Sequence, residues 1–343
     1  MKQRFCWPFF YFKMVLVIGT IRALLRSSRF LAPQKTMLLC RPALLLLVLV
    51  CSLPSLTFAQ EVAEVYLLSG QSNMAGSGRK EQLPEHWQTP VPNVQYWNGE
   101  AFVTFDPGQL NLNGKDRFGP ELGFAHTLGT LNPDQTFYIV KFALSGQPLH
   151  AGFHGGKWMG AEPGPNRNTF YPGEAADDPN RGNHYKRLHG QFSAALTALK
   201  QAGKTPRLRG IVWMQGEADA KQEVSALTYD QSIDLLKRRI EEDCASGPVP
   251  FVMGEILPHD PPLERFTHRS AIRQAQQAAD MRSGSPRAIS GVWNVSTDGM
   301  PLLADTVHYD TKGQLMLGTS FALGVTEAEN MLQMLAQKKE SGK

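Results

Sequence analysis

Short apolar runs alternate with longer stretches of helical period along most of this chain. That alternation predicts an α/β fold on a mainly parallel sheet. The strands read as Val65–Leu68, halted by Ser69-Gly70, then Phe137–Leu144, Leu208–Met214, Phe251–Ile256 and Ala288–Val295. A hairpin insertion is read from Val94–Trp97 and Phe102–Phe105, joined around Asn98-Gly99. Helices are predicted from Gly119-Pro120 to about Leu128, over Tyr185–Ala202 with Leu188, Phe192, Ala195 and Leu199 on one face, and over Tyr229–Ala245, Phe266–Met281 and Gln314–Glu327. Asp310 or Thr311 is placed to cap the last of these. Residues 337–343 read as a frayed polar tail, and no internal repeat suggests a solenoid.

Ser145–His184 breaks the rhythm. This segment is rich in Gly, Pro and Asn and carries His150, His154, Trp158, Phe170 and Tyr171. Its aromatics argue against disorder, leaving a loop packed on itself or a loop that binds substrate. The four histidines His150, His154, His184 and His189 match no zinc-ligand spacing, so no metal is expected.

Charge divides the chain in two. Residues 1–59 hold eight Lys or Arg and no acid, which leaves 27 basic and 31 acidic residues beyond them. Arg41, the apolar run Ala43–Val50 and Thr57-Phe58-Ala59 form the n-region, h-region and cleavage pattern of a secretory signal peptide. The expectation is a leader over 1–59, one domain over 60–336, and a secreted or periplasmic product without stable membrane insertion. Met37, just ahead of the apolar run, is an alternative start. The run is shorter than the roughly 20 residues of a membrane span. The mildly acidic body gives no reason to expect a nucleic-acid partner, and the sequence carries no signal of oligomeric state. Cys244 is the sole cysteine after the leader, so no internal disulfide forms there and cysteine-bound zinc is excluded.

Three segments at predicted strand ends carry chemistry. Ser69-Gly70-Gln71-Ser72-Asn73 follows the first strand and presents Ser72 on a sharp turn, as a nucleophile or an ordinary helix cap. Asp305-Thr306-Val307-His308 can set a carboxylate beside an imidazole, or can be a capping Asp with a surface His. Trp213-Met214-Gln215-Gly216-Glu217-Ala218-Asp219 ends the Leu208 strand, where Gln215 offers an amide donor and Glu217 a carboxylate, unless these are loop and turn residues.

Together these segments resemble the SGNH hydrolase superfamily, and within it the branch of sialate O-acetylesterases and family 6 acetylxylan esterases. The matching text is Gly70-Gln71-Ser72-Asn73, Arg117-Phe118-Gly119-Pro120-Glu121, Gly146, Gln215-Gly216-Glu217 and Asp305-x-x-His308. The resemblance implies a three-layer α/β/α sandwich of flavodoxin-like type and a cofactor-free serine esterase that deacetylates carbohydrate. It implies Ser72 as nucleophile, His308 as base, and Asp305 as the acid, with Glu217 assisting or replacing it. Oxyanion donors map to the Ser72 N–H, Gly146 and Gln215, and substrate contacts to Gln71, Asn73 and Trp158. Ser145 stands where relatives often carry a second glycine, which predicts crowding of the acyl pocket. Competing readings are a hydrolase of other acyl esters, a silent sugar-binding module, and a glycosidase using Glu217 and Asp219.

Overall fold

The computed structural model describes residues 61–244, 246–256 and 264–342. The leader expectation falls on residues outside these. Seven strands form the central sheet: β1 (Val62–Gly70), β2 (Val91–Trp97), β3 (Phe102–Phe105), β4 (Phe137–Ala143), β5 (Thr205–Met214), β6 (Phe251–Gly254) and β7 (Val292–Val295). Their spatial order is β7-β6-β5-β1-β4-β2-β3, parallel throughout except for the antiparallel edge strand β3. The predicted hairpin is therefore no insertion. Its first strand pairs in parallel with β4 and extends the sheet.

β1 lies at the centre, where Leu67 is flanked by Val140 of β4 and Ile211 of β5. Eight of its nine residues are buried, because helices cover both faces and leave no position for a polar outward row. The helices are α1 (Ser72–Ala75), α2 (Glu121–Leu131), α3 (Asn183–Gln201), α4 (Glu223–Leu227), α5 (Tyr229–Asp243), α6 (Arg269–Ala279) and α7 (Thr311–Glu340). α2 and α7 cover one face. Phe124 of α2 meets Tyr66 edge-on at 5.3 Å, and Val325 of α7 lies over Gly210. Trp213 and Phe142 point to the opposite face, where Phe170 packs edge-on against both and α3 and α5 complete the layer. The sandwich is the expected three-layer α/β/α arrangement. Among the described residues no helix is long and apolar enough to cross a membrane.

Element ends depart from the sequence reading where a side chain or a turn captures a backbone group. β6 stops at Gly254 because the Ile256 N–H turns to the Gln276 side chain at 3.1 Å. β7 begins only at Val292, since the Ile289 N–H bonds Ala279 O at the end of α6 and not the sheet. The Phe266 helix divides into a single 3₁₀ turn, Glu264–Phe266, and α6. α7 begins at Thr311, capped by Asp310, whose Oδ1 accepts from the Gly313 N–H at 2.8 Å. It runs on through the polar stretch read as a frayed tail. Lys338 and Lys339 sit in its last turn, where cations offset the helix dipole. Asn294, part of an Asn-Val-Ser glycosylation pattern, lies buried in β7 and donates to Glu255.

Ser145–His184 is packed by its own aromatics. Phe153 and Phe170 are buried, and Phe153–His154 pairs with Lys157–Trp158 as a two-residue ladder.

Candidate active site

β1 delivers Ser72. The chain leaves the strand at Gly70 with φ of +145°, and a Cβ there would lie 2.1 Å from the Met214 carbonyl oxygen. Only glycine permits the turn to press this closely on the end of β5. The Gln71 N–H then donates to Met214 O at 2.8 Å, and α1 starts at once with Ser72, which is partly exposed.

The second contribution comes from a turn just ahead of α7. It closes through a Leu302–Tyr309 bridge and a 2.7 Å bond from the Leu303 N–H to His308 O. Asp305 Oδ1 accepts from the backbone N–H groups of Val307 and His308, each at 2.9 Å. Its Oδ2 lies 2.6 Å from His308 Nδ1, and His308 Nε2 lies 3.0 Å from Ser72 Oγ. Partial burial acts to raise the Asp305 carboxyl, but the His308 ring and the two N–H groups outweigh it and hold it below its usual range. Thr306, inside the turn, has φ of +57°. For a β-branched residue that is a strained conformation, kept only where the surroundings fix it.

A third loop follows β5 and is wholly interior. Gln215, Glu217 and Asp219 have no exposed surface. Asp219 accepts from the Leu149 and His150 N–H groups at 2.8 and 2.9 Å and from Gln215 Nε2 at 2.5 Å, which ties this loop to the one after β4. Burial pushes Asp219 up to about 6 against the pull of those donors. Glu217 Oε1 accepts from Asn73 Nδ2 at 2.9 Å, and burial raises this carboxyl too.

The structure thus sorts the expected site residues. Ser72, His308 and Asp305 are brought into one hydrogen-bonded chain. Glu217 makes no hydrogen bond to His308 and does not take the place of Asp305. Gln215 is spent elsewhere: Nε2 donates to Asp219 and to Gln147 O, and Oε1 accepts from the Tyr229 hydroxyl, so its amide is not free to meet an oxyanion. Gln71 and Asn73 are buried, not substrate-facing. Gln71 Oε1 accepts from the Ala218 N–H, and Asn73 bonds Glu217, Val307 O and the Tyr309 N–H. Trp158 leans on His150 and Phe153 of its own loop. Gly146 has φ of +70° and is exposed, with open space where a Cβ would stand, and Ser145 beside it is exposed and crowds nothing. A glycosidase reading of Glu217 and Asp219 fails, because neither carboxylate has any exposed surface to offer a sugar.

Sequence reasoning missed a buried ion pair under α1. Lys141 Nζ lies 2.6 Å from Glu121 Oε2 and donates to Ala75 O at 2.8 Å, with both side chains almost fully enclosed. The signal was present: a lysine within the apolar strand Phe137–Leu144 demands a buried partner. His184, pushed down to about 4 by burial, holds Gln147 through a 2.8 Å contact. A cleft of about 350 Å³ opens beside α1, lined by Ala75, Trp97, Asn98, Leu144, Arg187 and Gln191 among others.

A Ser–His–Asp chain beside the carboxyl ends of a parallel sheet is an arrangement that hydrolases of several folds share. Residues 62–327 match the family described as carbohydrate esterase, sialic acid-specific acetylesterase, and the chain belongs to that family. It is similar to a probable carbohydrate esterase of Arabidopsis thaliana, 24% identical over 280 residues that cover 76% of this chain and 88% of the relative. The solved structure of that Arabidopsis thaliana protein aligns with a TM-score of 0.56 at 18% identity, covering 78% of this chain and 99% of that one. The solved structure of NanS aligns at 0.52 and 14% identity, covering 82% and 99%.

Proposed function

We propose that the protein is an exported serine esterase that removes O-acetyl groups from carbohydrate, either an acetylated xylan or related polysaccharide or an O-acetylated sialic acid. The observation that carries this reading is the unbroken chain from Asp305 Oδ2 through His308 to Ser72 Oγ, at 2.6 and 3.0 Å. Asp305 holds the proton on Nδ1, which leaves Nε2 free to take the Ser72 proton as Oγ attacks the acetyl carbonyl. The resulting imidazolium then protonates the departing sugar oxygen, and water attacks the acyl-enzyme through the same base.

Ser72 and Gly146 carry the oxyanion in this reading. Neither backbone N–H donates to another group among the described residues. Each such donor is worth about 2.7–4 kcal/mol of transition-state stabilisation. The neighbouring cleft supports a sugar: Trp97 offers an apolar face, and Asn98 and Gln191 offer amides to hydroxyl groups. The family and its carbohydrate-esterase relatives support the acetyl ester as substrate. Export rests on the residue pattern of the leader.

The test is acetate release from acetylated xylan and from O-acetylated sialic acid, with the full chain and its Ser72→Ala variant. Release from one substrate that disappears in the variant is the expected result and picks the substrate. An undiminished rate in Ser72→Ala removes the proposed mechanism.

A further inference from the structure

Outside the turn that presents His308, Ser77 Oγ holds the far side of Tyr309 by donating to its carbonyl at 2.6 Å, but the stretch from Leu303 to Thr306 is exposed. Asp305 is exposed, the Asp305 and His308 side chains retain 42% and 31% of their surface, and Thr306 is strained at φ of +57°. Such a turn keeps a 3.0 Å register with Ser72 only if something buried grips it. Asn73 does so. Its Nδ2 donates to Val307 O at 3.0 Å, and its Oδ1 accepts from the Tyr309 N–H at 3.2 Å. These are the backbone groups on either side of His308. One amide therefore fixes the histidine from both flanks, and that amide follows the nucleophile directly in sequence.

The second Nδ2 hydrogen goes to Glu217 Oε1 at 2.9 Å. Among the described residues no other side chain hydrogen-bonds to Glu217. The Val307 carbonyl and the Tyr309 N–H direct the NH₂ end of Asn73 to the first and its oxygen to the second, and Glu217 Oε1 anchors the amide in that same orientation by taking the remaining Nδ2 hydrogen. With the amide reversed, its NH₂ group would meet the Tyr309 N–H and its oxygen would meet two acceptors.

We propose that Glu217 is a positioning residue for His308, acting through its hold on the Asn73 amide and not as a second carboxylate on the ring. This rests on the reading of His308 as the base for Ser72. The titratable groups around the clamp are Asp219 on the same loop, Tyr229 on α5, and Asp305, His308 and Tyr309 on the facing turn.

The test compares Glu217→Gln, Glu217→Leu, Asn73→Ala and the double variant Glu217→Leu/Asn73→Ala in the full chain, with p-nitrophenyl acetate as probe. Glu217→Leu and Asn73→Ala are expected to lower kcat about 10- to 100-fold with KM little changed, as for a base moved out of register. Glu217→Gln keeps an oxygen for Asn73 and is expected to recover at least tenfold of the loss in Glu217→Leu, with the acid limb of the kcat/KM profile in place. The double variant is expected to be no slower than Asn73→Ala alone, because both act through one contact. The downfield proton NMR signal of the His308 Nδ1–H gives a readout without turnover. It should persist in Glu217→Gln and broaden or vanish in Glu217→Leu and Asn73→Ala. Additive losses in the double variant, or a Glu217→Gln rate as low as Glu217→Leu with a displaced acid limb, overturn the proposal in favour of direct action of the Glu217 charge. If Glu217→Leu does not fold, Glu217→Gln and Asn73→Ala still decide it: a loss in Glu217→Gln exceeding that in Asn73→Ala overturns it. A wild-type chain that leaves the ester intact refutes the esterase reading alone, since the NMR signal still reports on the clamp.

Discussion

Two loops meet at Ser72, and each brings carboxylates, yet they are built in opposite ways. The turn ahead of α7 is exposed and strained, and its Asp305 is held below its usual range by donors it faces directly. The loop after β5 is enclosed, and its Glu217 and Asp219 are pushed upward by burial despite the donors they accept from. An exposed carboxylate can follow a change of charge on a neighbouring ring at little cost, because solvent screens it. A buried one is better suited to holding amides in fixed directions. In the proposed mechanism the difference separates the carboxylate that orients the proton-carrying ring from the carboxylates that hold the surrounding scaffold.

The strongest way to break this division is Asp305→Asn. The side-chain oxygen at Oδ1 can still accept from Val307 and His308, so the turn is retained. The amide NH₂ that replaces Oδ2 then faces Nδ1 and favours the wrong ring tautomer. Steady-state kinetics should show kcat lower by about 10³–10⁴-fold. Urea unfolding should show stability within about 1 kcal/mol of wild type, as expected for an exposed pair. A large stability loss with modest loss of rate would place Asp305 with the scaffold instead.

How far all this was legible in the sequence follows the same division. Ser72, Asp305 and His308 were read correctly as neighbours because each stands at a strand end or in a short turn, where spacing limits geometry. Gln71 and Asn73 were read as substrate contacts, Gln215 as an oxyanion donor and Glu217 as assisting or replacing Asp305, whereas all four are buried. A motif at a strand end shows that its residues are near the site, but alternate residues of a tight turn point in opposite directions. Burial then decides which one meets solvent. Ser72 is partly exposed between Gln71 and Asn73, both buried. The ends of β6 and β7 were missed because the deciding partners, Gln276 and Ala279, lie on α6, far along the chain from the strand they terminate.

The enclosed loop gives a second, smaller effect, and it depends on pH. Asp219 has its folded-state value raised to about 6, above an unfolded value near 3.9. A raised carboxyl favours the folded state while it is protonated. Its contribution is therefore complete below about pH 4 and is lost as pH rises through about 6. Wild type and Asp219→Asn should be compared by urea unfolding at pH 4 and pH 7. Wild type is expected to lose roughly 2–3 kcal/mol more than the variant across that interval. The asparagine shifts both points equally through its altered hydrogen bonds, so only the difference between the two slopes is read. Equal slopes would mean that the Leu149, His150 and Gln215 donors already offset burial and leave this carboxylate with no net upward shift.

The smallest effect separates two ways of anchoring the exposed turn. Asp310 caps α7 immediately after Tyr309, so the helix could hold the His308 turn from behind while Asn73 holds it from within. Asp310→Ala removes the acceptor for the Gly313 N–H and should cost about 1 kcal/mol of stability. The Asp310 N–H to Pro301 O bond at 3.1 Å is a backbone contact and survives the substitution. Because the Asn73 bonds to Val307 and Tyr309 are untouched, kcat should stay within about twofold of wild type while the urea midpoint falls. If kcat instead drops tenfold with the cap, α7 and not the buried amide sets the position of His308. The division between an exposed turn and an enclosed loop would then have to include the first turn of that helix.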